Sequence, residues 1–229
     1  MAELLILIFS FFIFLYFLYF IGKDDFVIIR KDIPLEKIFS IAILAGLVGI
    51  FSARLTFIIF SSKFGYLNPI VFFALPYYPG LSLIGGVTGG SLFIYLYSLY
   101  KKIQVGRIFD LFIMSFSGIL PISLFLNIIY MQGKESMIQN IMFIASIIIL
   151  IIFSKFLFPY ASKGEIKDGS LGLVFVLILS FIQFTFDLLL DIKNFSFFSV
   201  EHLFILSVFF ISLILIINQE IMNKFLAKK

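Results

Sequence analysis

The chain has no cysteine and no tryptophan, and its single histidine is His202. Without cysteine there is no disulfide framework, no thiolate metal site and no catalytic thiol. One histidine does not make an all-protein zinc site, so neither a metal nor another cofactor is expected. Charge is also scarce: 13% of the 229 residues are charged against 62% hydrophobic, and the mean hydropathy is +1.18. A soluble globular domain is roughly half apolar and about a quarter charged. This chain departs on both axes, so its solvent is the bilayer.

In hydrocarbon every backbone polar group must be bonded within the protein, which leaves helices and closed barrels. Barrel strands alternate apolar and polar residues. Runs such as Leu4–Phe20 and Ile141–Phe153 do not alternate, so the expected fold is an all-α polytopic bundle. The net charge of +4 is not concentrated in any segment, which argues against a nucleic-acid partner. The opening Met1-Ala2-Glu3 carries no Lys or Arg and precedes an apolar run longer than a signal-peptide core, so the run reads as a retained anchor.

A helix crosses the hydrocarbon with roughly 20 mostly apolar residues. That ruler gives seven spans, at about 4–22, 38–61, 80–100, 109–130, 141–158, 169–190 and 202–218. Turn or charge signals separate them: Lys23-Asp24-Asp25, Asn68-Pro69, Lys101-Lys102, Gly133-Lys134-Glu135, Lys163-Gly164 and Asp191 to Asn194. No soluble insertion of domain size interrupts them, so residues 1–229 are expected to form one integral membrane domain.

Orientation follows from the loop charges. The odd loops and the C-terminal tail hold twelve basic residues: Lys23, Arg30, Lys31, Lys37, Lys101, Lys102, Arg107, Lys163, Lys167, Lys224, Lys228 and Lys229. The even loops hold three, Lys63, Lys134 and Lys193, and the N-terminus none. The bias predicts a bacterial inner-membrane protein with its N-terminus outside and its C-terminus in the cytoplasm. Tyr66, Tyr77, Tyr78 and Tyr130 then fall at outer ends and Tyr100 and Tyr160 at inner ends, where amphipathic rings anchor the interface.

Four polar features fall in the outer half of the spans: Arg54 late in the second, Asp187 late in the sixth, Asn127 late in the fourth, and Gly85-Gly86-Val87-Thr88-Gly89-Gly90 early in the third. An ion within a span costs a few kcal/mol on insertion scales, so it usually faces the bundle interior, a partner or a wet cavity. Arg54 either snorkels to headgroups or offers a guanidinium fork to a phosphate or carboxylate. Asp187 is either its counter-ion or an acid/base group. The glycines contain two overlapping GxxxG patterns, which serve close helix packing or let a headgroup approach the backbone. His202 reads as an interfacial residue opening the last span.

In this order, these residues resemble the prolipoprotein diacylglyceryl transferase family. The family's small-Ala-Arg-Leu segment is matched by Phe51-Ser52-Ala53-Arg54-Leu55, after Ile33-Pro34-Leu35-Glu36. Its glycine-rich stretch is matched by Gly80-Leu81-Ser82-Leu83-Ile84-Gly85-Gly86-Val87-Thr88-Gly89-Gly90. A basic turn with an Asp opening a span is matched by Lys101-Lys102 to Asp110. The family's Gly-Arg-x-Gly-Asn-Phe-x-Asn signature falls on Ser123-Leu124-Phe125-Leu126-Asn127-Ile128-Ile129-Tyr130, and its Arg-Phe-x-x-Glu-x-x-Arg span on Gln183 to Leu190.

The resemblance implies transfer of diacylglycerol from phosphatidylglycerol, or a similar anionic phospholipid, to the lipobox cysteine of a prolipoprotein signal peptide. Arg54, Gly85, Gly86, Gly89, Gly90 and Asn127 would bind substrate, and Asp187 would act as acid or base. The chain departs from the family pattern at Ile84, where the family has a histidine that assists thiol deprotonation. It departs again at Leu124, the place of the arginine that holds the lipid phosphate, and at Gln183 and Leu190, the places of a late arginine pair. These losses favour the alternative of a non-catalytic relative that binds phospholipid or a lipoprotein precursor.

Overall fold

The computed structural model describes residues 2–75, 77–78, 80–130, 136–190 and 199–222. Lys134, Lys193, Lys224, Lys228 and Lys229, and the expected breaks at 133–135 and 191–194, lie outside them. The regular secondary structure of the described residues is helical, with no strand. The helices are α1 (Ala2–Gly22), α2 (Phe26–Arg30), α3 (Leu35–Phe60), α4 (Pro69–Phe73), α5 (Leu83–Tyr100), α6 (Val105–Tyr130), α7 (Ser136–Ile152), α8 (Phe158–Ser162), α9 (Ser170–Leu190) and α10 (Val200–Ile216). A π-helical turn, Phe153–Leu157, joins α7 to α8, and another, Ile217–Met222, extends α10. Seven of the resulting segments are long and apolar enough to cross a membrane, the number that the apolar runs predict.

The boundaries move where local chemistry decides them. The second span starts at Leu35 because Pro34 supplies an extended N-cap (φ −66°, ψ 135°) and leaves no donor to satisfy upstream. The third starts at Leu83, not near residue 80. Gly80 sits at φ +134°, and the Ser82 side chain caps the helix by accepting from the Gly85 N–H at 3.3 Å. The fifth runs on to Ser162 through the π-turn that precedes Pro159.

Three helix pairs dominate the packing: α3 with α5, α9 with α10, and α1 with α6. One apolar cluster joins Leu18, Ile38, Ile41, Ile94 and Leu111 across α1, α3, α5 and α6. A second joins Ile84, Ile113, Phe153, Phe175 and Ile205, so α5 and α6 belong to both. Phe175 lies edge-on to Phe116 and to Phe153, with ring centroids 5.9 and 5.6 Å apart. Apolar side chains left facing outward, such as Phe12, Leu47, Leu92 and Ile214, are the surface a bilayer covers.

One end of the bundle carries a polar network that ties the odd loops to the last helix. Asp25 caps α2 by accepting from the N–H groups of Val27 and Ile28, both at 3.1 Å. Its other oxygen accepts from Arg107 Nε at 2.9 Å and Nη2 at 2.6 Å. Both side chains are buried. Arg107 also lies 3.7 Å from Asp168, which accepts from Gln104. Asp110 accepts from Gly169 N at 2.7 Å and Gly172 N at 2.8 Å, so a carboxylate on α6 caps the start of α9. Glu220 receives Lys167 N at 2.8 Å and Ser170 Oγ at 2.6 Å. The odd loops and the end of the last span thus share one face of the protein.

Candidate functional site

At the opposite end, the last turns of α3 hold the loop that leads into α5. Arg54 is 1% exposed. It donates from Nη1 to the Gly80 carbonyl at 2.8 Å and from Nη2 to the Val71 carbonyl at 3.3 Å. Backbone pairing reinforces this: Ser82 N donates to Ala53 O at 3.0 Å. The guanidinium carbon lies 5.2 Å from the Tyr66 ring centroid and 5.8 Å from that of Phe57. The Arg54 cation therefore sits in a cage of two carbonyls and two aromatic faces.

Two expectations are corrected here. Arg54 does not snorkel outward, because the loop over it supplies acceptors that keep it buried. Nor does it pair with Asp187: the ion pairs among the described residues are Lys23–Asp24, Arg107–Asp25 and Arg107–Asp168. The cage leaves Arg54 Nε buried and without a hydrogen-bond partner.

The glycine stretch faces α3. A Cβ added at Gly85 would overlap the Thr56 side chain, and one at Gly89 would overlap Ser52. At Gly86 it would lie 3.3 Å from Ala53 Cβ, and at Gly90 3.6 Å from the Ala45 carbonyl oxygen. The packing use of the two GxxxG patterns is thus visible directly, with side chains of α3 filling the space that glycine leaves. Ile84 is fully buried in the second apolar cluster, together with Ile205 and Phe175.

Asp187 is half-buried on α9, and its Oδ2 is buried with no hydrogen-bond partner. Its charged neighbours are Glu201 and His202 at the start of α10. The Ser199 hydroxyl caps α10 by accepting from His202 N at 3.2 Å, and it lies 2.6 Å from His202 Nδ1. The imidazole stands edge-on to Phe184, with centroids 6.1 Å apart. Phe204, two residues along α10, meets Phe60 of α3 at 5.5 Å, so the acidic cluster and the Arg54 turn share one end of the bundle. Asn127 is half-buried on α6 and makes no hydrogen bond with the described residues. Cavities of about 540 and 300 Å³ lie elsewhere: one beside the loops before α3 and α6, the other apolar, between α7 and α9.

Sequence reading missed the grouping of Asp187 with Glu201, His202 and Ser199. Its available signal was the Ser-x-Glu-His opening of the last span, where Ser is a strong N-cap. It also missed Asp25–Arg107 and the Asp110 cap, which no periodicity encodes.

A seven-helix membrane bundle with a buried arginine locking a glycine turn on one face defines a polytopic integral membrane protein with a polar site at one end. The model of the prolipoprotein diacylglyceryl transferase family matches residues 4–123, and the chain belongs to that family. The matched region includes Arg54 and the glycine stretch, while Asn127 and Asp187 lie beyond it. The chain matches no curated protein and no solved structure.

Proposed function

We propose that this protein transfers diacylglycerol from phosphatidylglycerol to the lipobox cysteine of a prolipoprotein at the outer face of a bacterial inner membrane. Residues 1–229 act in this reading as a single membrane domain with the N-terminus outside. The observation that carries the proposal is Arg54: a cation 1% exposed, without an acidic partner among the described residues, and with Nε unbonded to any of them. Burying an uncompensated charge costs several kcal/mol. A lipid phosphate at this point would supply both the counter-charge and the missing acceptor. Headgroup approach to the backbone of Gly85, Gly86, Gly89 and Gly90, and a contact with Asn127, belong to the same proposal.

In the reaction the cysteine sulfur loses its proton and forms a bond to the terminal glyceryl carbon. The bond from that carbon to the phosphate oxygen breaks, and glycerol phosphate leaves with the electron pair. Asp187, beside His202, is the group proposed to take the thiol proton. Its unbonded Oδ2 supports this, since a proton acceptor needs a free lone pair. Electrostatic donors to the departing phosphate are each worth roughly 2.7–4 kcal/mol, and Arg54 fills that role.

A second reading, lipid or precursor binding without turnover, is favoured by the apolar burial of Ile84. An isoleucine accepts no proton. Complementation of a strain depleted of its own transferase separates the two: growth supports transfer, and no growth with preserved lipid binding supports the second. Under both readings Arg54→Gln weakens phosphatidylglycerol binding about tenfold, which corresponds to 1.4 kcal/mol. Arg54→Lys weakens it less, because the charge stays while the fork is lost. Lipid titration followed by native mass spectrometry measures both, and equal affinity in wild type and Arg54→Gln would leave Arg54 as a structural residue.

A further inference from the structure

The larger cavity, about 540 Å³, lies at the other end of α3 from Arg54, between the loop that precedes α3 and the loop that precedes α6. Lys37 and Arg54 are separated by about 25 Å along the helix axis at 1.5 Å per residue, so the two places are distinct. Lys31, Lys37, Lys101 and Lys102 line the cavity, with Asp32 as its one acidic residue, which leaves a formal charge of +3. None of these lysines takes part in an ion pair with the described residues. Lys101 instead lies over the rings of Tyr97 and Tyr100, at 5.9 and 5.2 Å.

The backbone places these charges at some strain. Asp32 (φ 50°) and Lys102 (φ 55°) are both left-handed, each just past the end of a helix, where glycine carries no such penalty. In both turns the following amide reaches back to the last helical turn: Ile33 N to Ile28 O at 3.1 Å and Ile103 N to Ser98 O at 2.9 Å. Pro34 and Gln104, also in the lining, immediately precede two 26-residue helices, α3 and α6. The positive ends of their dipoles add to the lysine field.

We propose that this cavity binds the phosphate-bearing headgroup of an anionic glycerophospholipid, as a second lipid site independent of the one at Arg54. The lysines sit at or just beyond the ends of α3 and α5, the depth at which headgroups lie. Basic pockets between membrane helices recognise anionic headgroups, and the volume lies within the 300–1,000 Å³ range of small-ligand pockets. The lipid assignment, as opposed to a soluble phosphate, rests on the surface next to the cavity. Leu92, Leu96 and Leu99 on α5 are all more than half exposed. Their spacing puts them on one helix face leading away from Lys102, a track for an acyl chain.

The test uses the purified full-length protein in detergent, with dioctanoyl phosphatidic acid as probe and dioctanoyl phosphatidylcholine as the uncharged control. Binding is read by native mass spectrometry. Wild type is expected to bind the anionic probe at least tenfold more tightly than the control. Lys37→Gln with Lys102→Gly should remove one of two bound anionic lipids by weakening its site at least tenfold, and that lysine-dependent lipid should survive Arg54→Gln. Millimolar glycerol 3-phosphate should not displace the probe. Lys102→Gly should leave Tm unchanged or raised, since glycine suits φ 55°, so lost binding cannot be ascribed to lost folding. An unchanged affinity in the lysine variant, loss of all anionic binding in Arg54→Gln, or displacement by glycerol 3-phosphate would each overturn the proposal.

Discussion

Gly80 shows how much a single residue carries. Its φ of +134° is open to glycine and costly for other residues, its carbonyl accepts from Arg54, and a Cβ there would overlap the Phe57 ring. Gly80→Ala is expected to destabilise the protein by about 1–3 kcal/mol, the range for a residue held in a sparsely populated backbone region, and to loosen the Arg54 cage. Thermal unfolding in detergent measures the first effect, and weaker phosphatidylglycerol binding reports the second. Arg54 stands out in the sequence as an ion within a span, and Gly80 opens the glycine-rich stretch. Their contact was not legible, because it depends on a loop folding back over the end of a helix. The Arg54–Asp187 pairing failed for a related reason: complementary charge at equal depth says nothing of position around the bundle, and the acceptors of Arg54 are backbone carbonyls.

Among elements, α3 and α5 form the most extensive pair of the described residues, and their glycines set the approach. Gly85→Val would drive a branched side chain into Thr56, where even a Cβ overlaps. Overpacking of this kind typically costs about 1–3 kcal/mol. Gly65→Val, with nothing within 4 Å of the added Cβ, is the matched control and should leave Tm nearly unchanged. A Gly85→Val protein as stable as the control would show that α3 and α5 do not rely on this contact. The GxxxG spacing made the packing face readable from sequence, and apolar run length made all seven spans readable. Helix ends were less so: Pro34, Ser82 and the π-turn before Pro159 each moved a boundary by local hydrogen bonding that hydropathy does not register.

For the whole molecule, the ion pair Arg107–Asp25 and the cap from Asp110 fasten three chain segments at one face. Removing one partner of a buried pair leaves an uncompensated charge and costs about 3–5 kcal/mol. Arg107→Met should therefore lower Tm strongly, while Arg107→Met with Asp25→Asn should recover part of the loss, because Asp25 is no longer left as an unpaired buried charge and the asparagine can still cap α2. Equal destabilisation by the single and double variants would remove the electrostatic account. The same face carries the loops richest in lysine, and the absence of native cysteine makes its location testable. A cysteine at position 102 should be labelled from the cytoplasm only, and one at position 63 from outside only; periplasmic labelling of position 102 would reverse the orientation. The charge count could group the odd loops together. It could not reveal that Arg107 is shared between Asp25 and Asp168 within that face.

The Asp110 cap also bears on the order in which the chain can assemble. The first turn of α9 has donors at Gly169 and Gly172 whose acceptor belongs to α6, and the Ser170 hydroxyl and Lys167 amide beside them rely on Glu220. In chain order α6 precedes α9, and Glu220 follows both. The start of α9 is therefore received by a ready-made carboxylate, but it is closed over only when the last helix has entered the bilayer. A chain stopped before Glu220 would hold the start of α9 through Asp110 alone, so the turn that extends α10 completes the seal on this face.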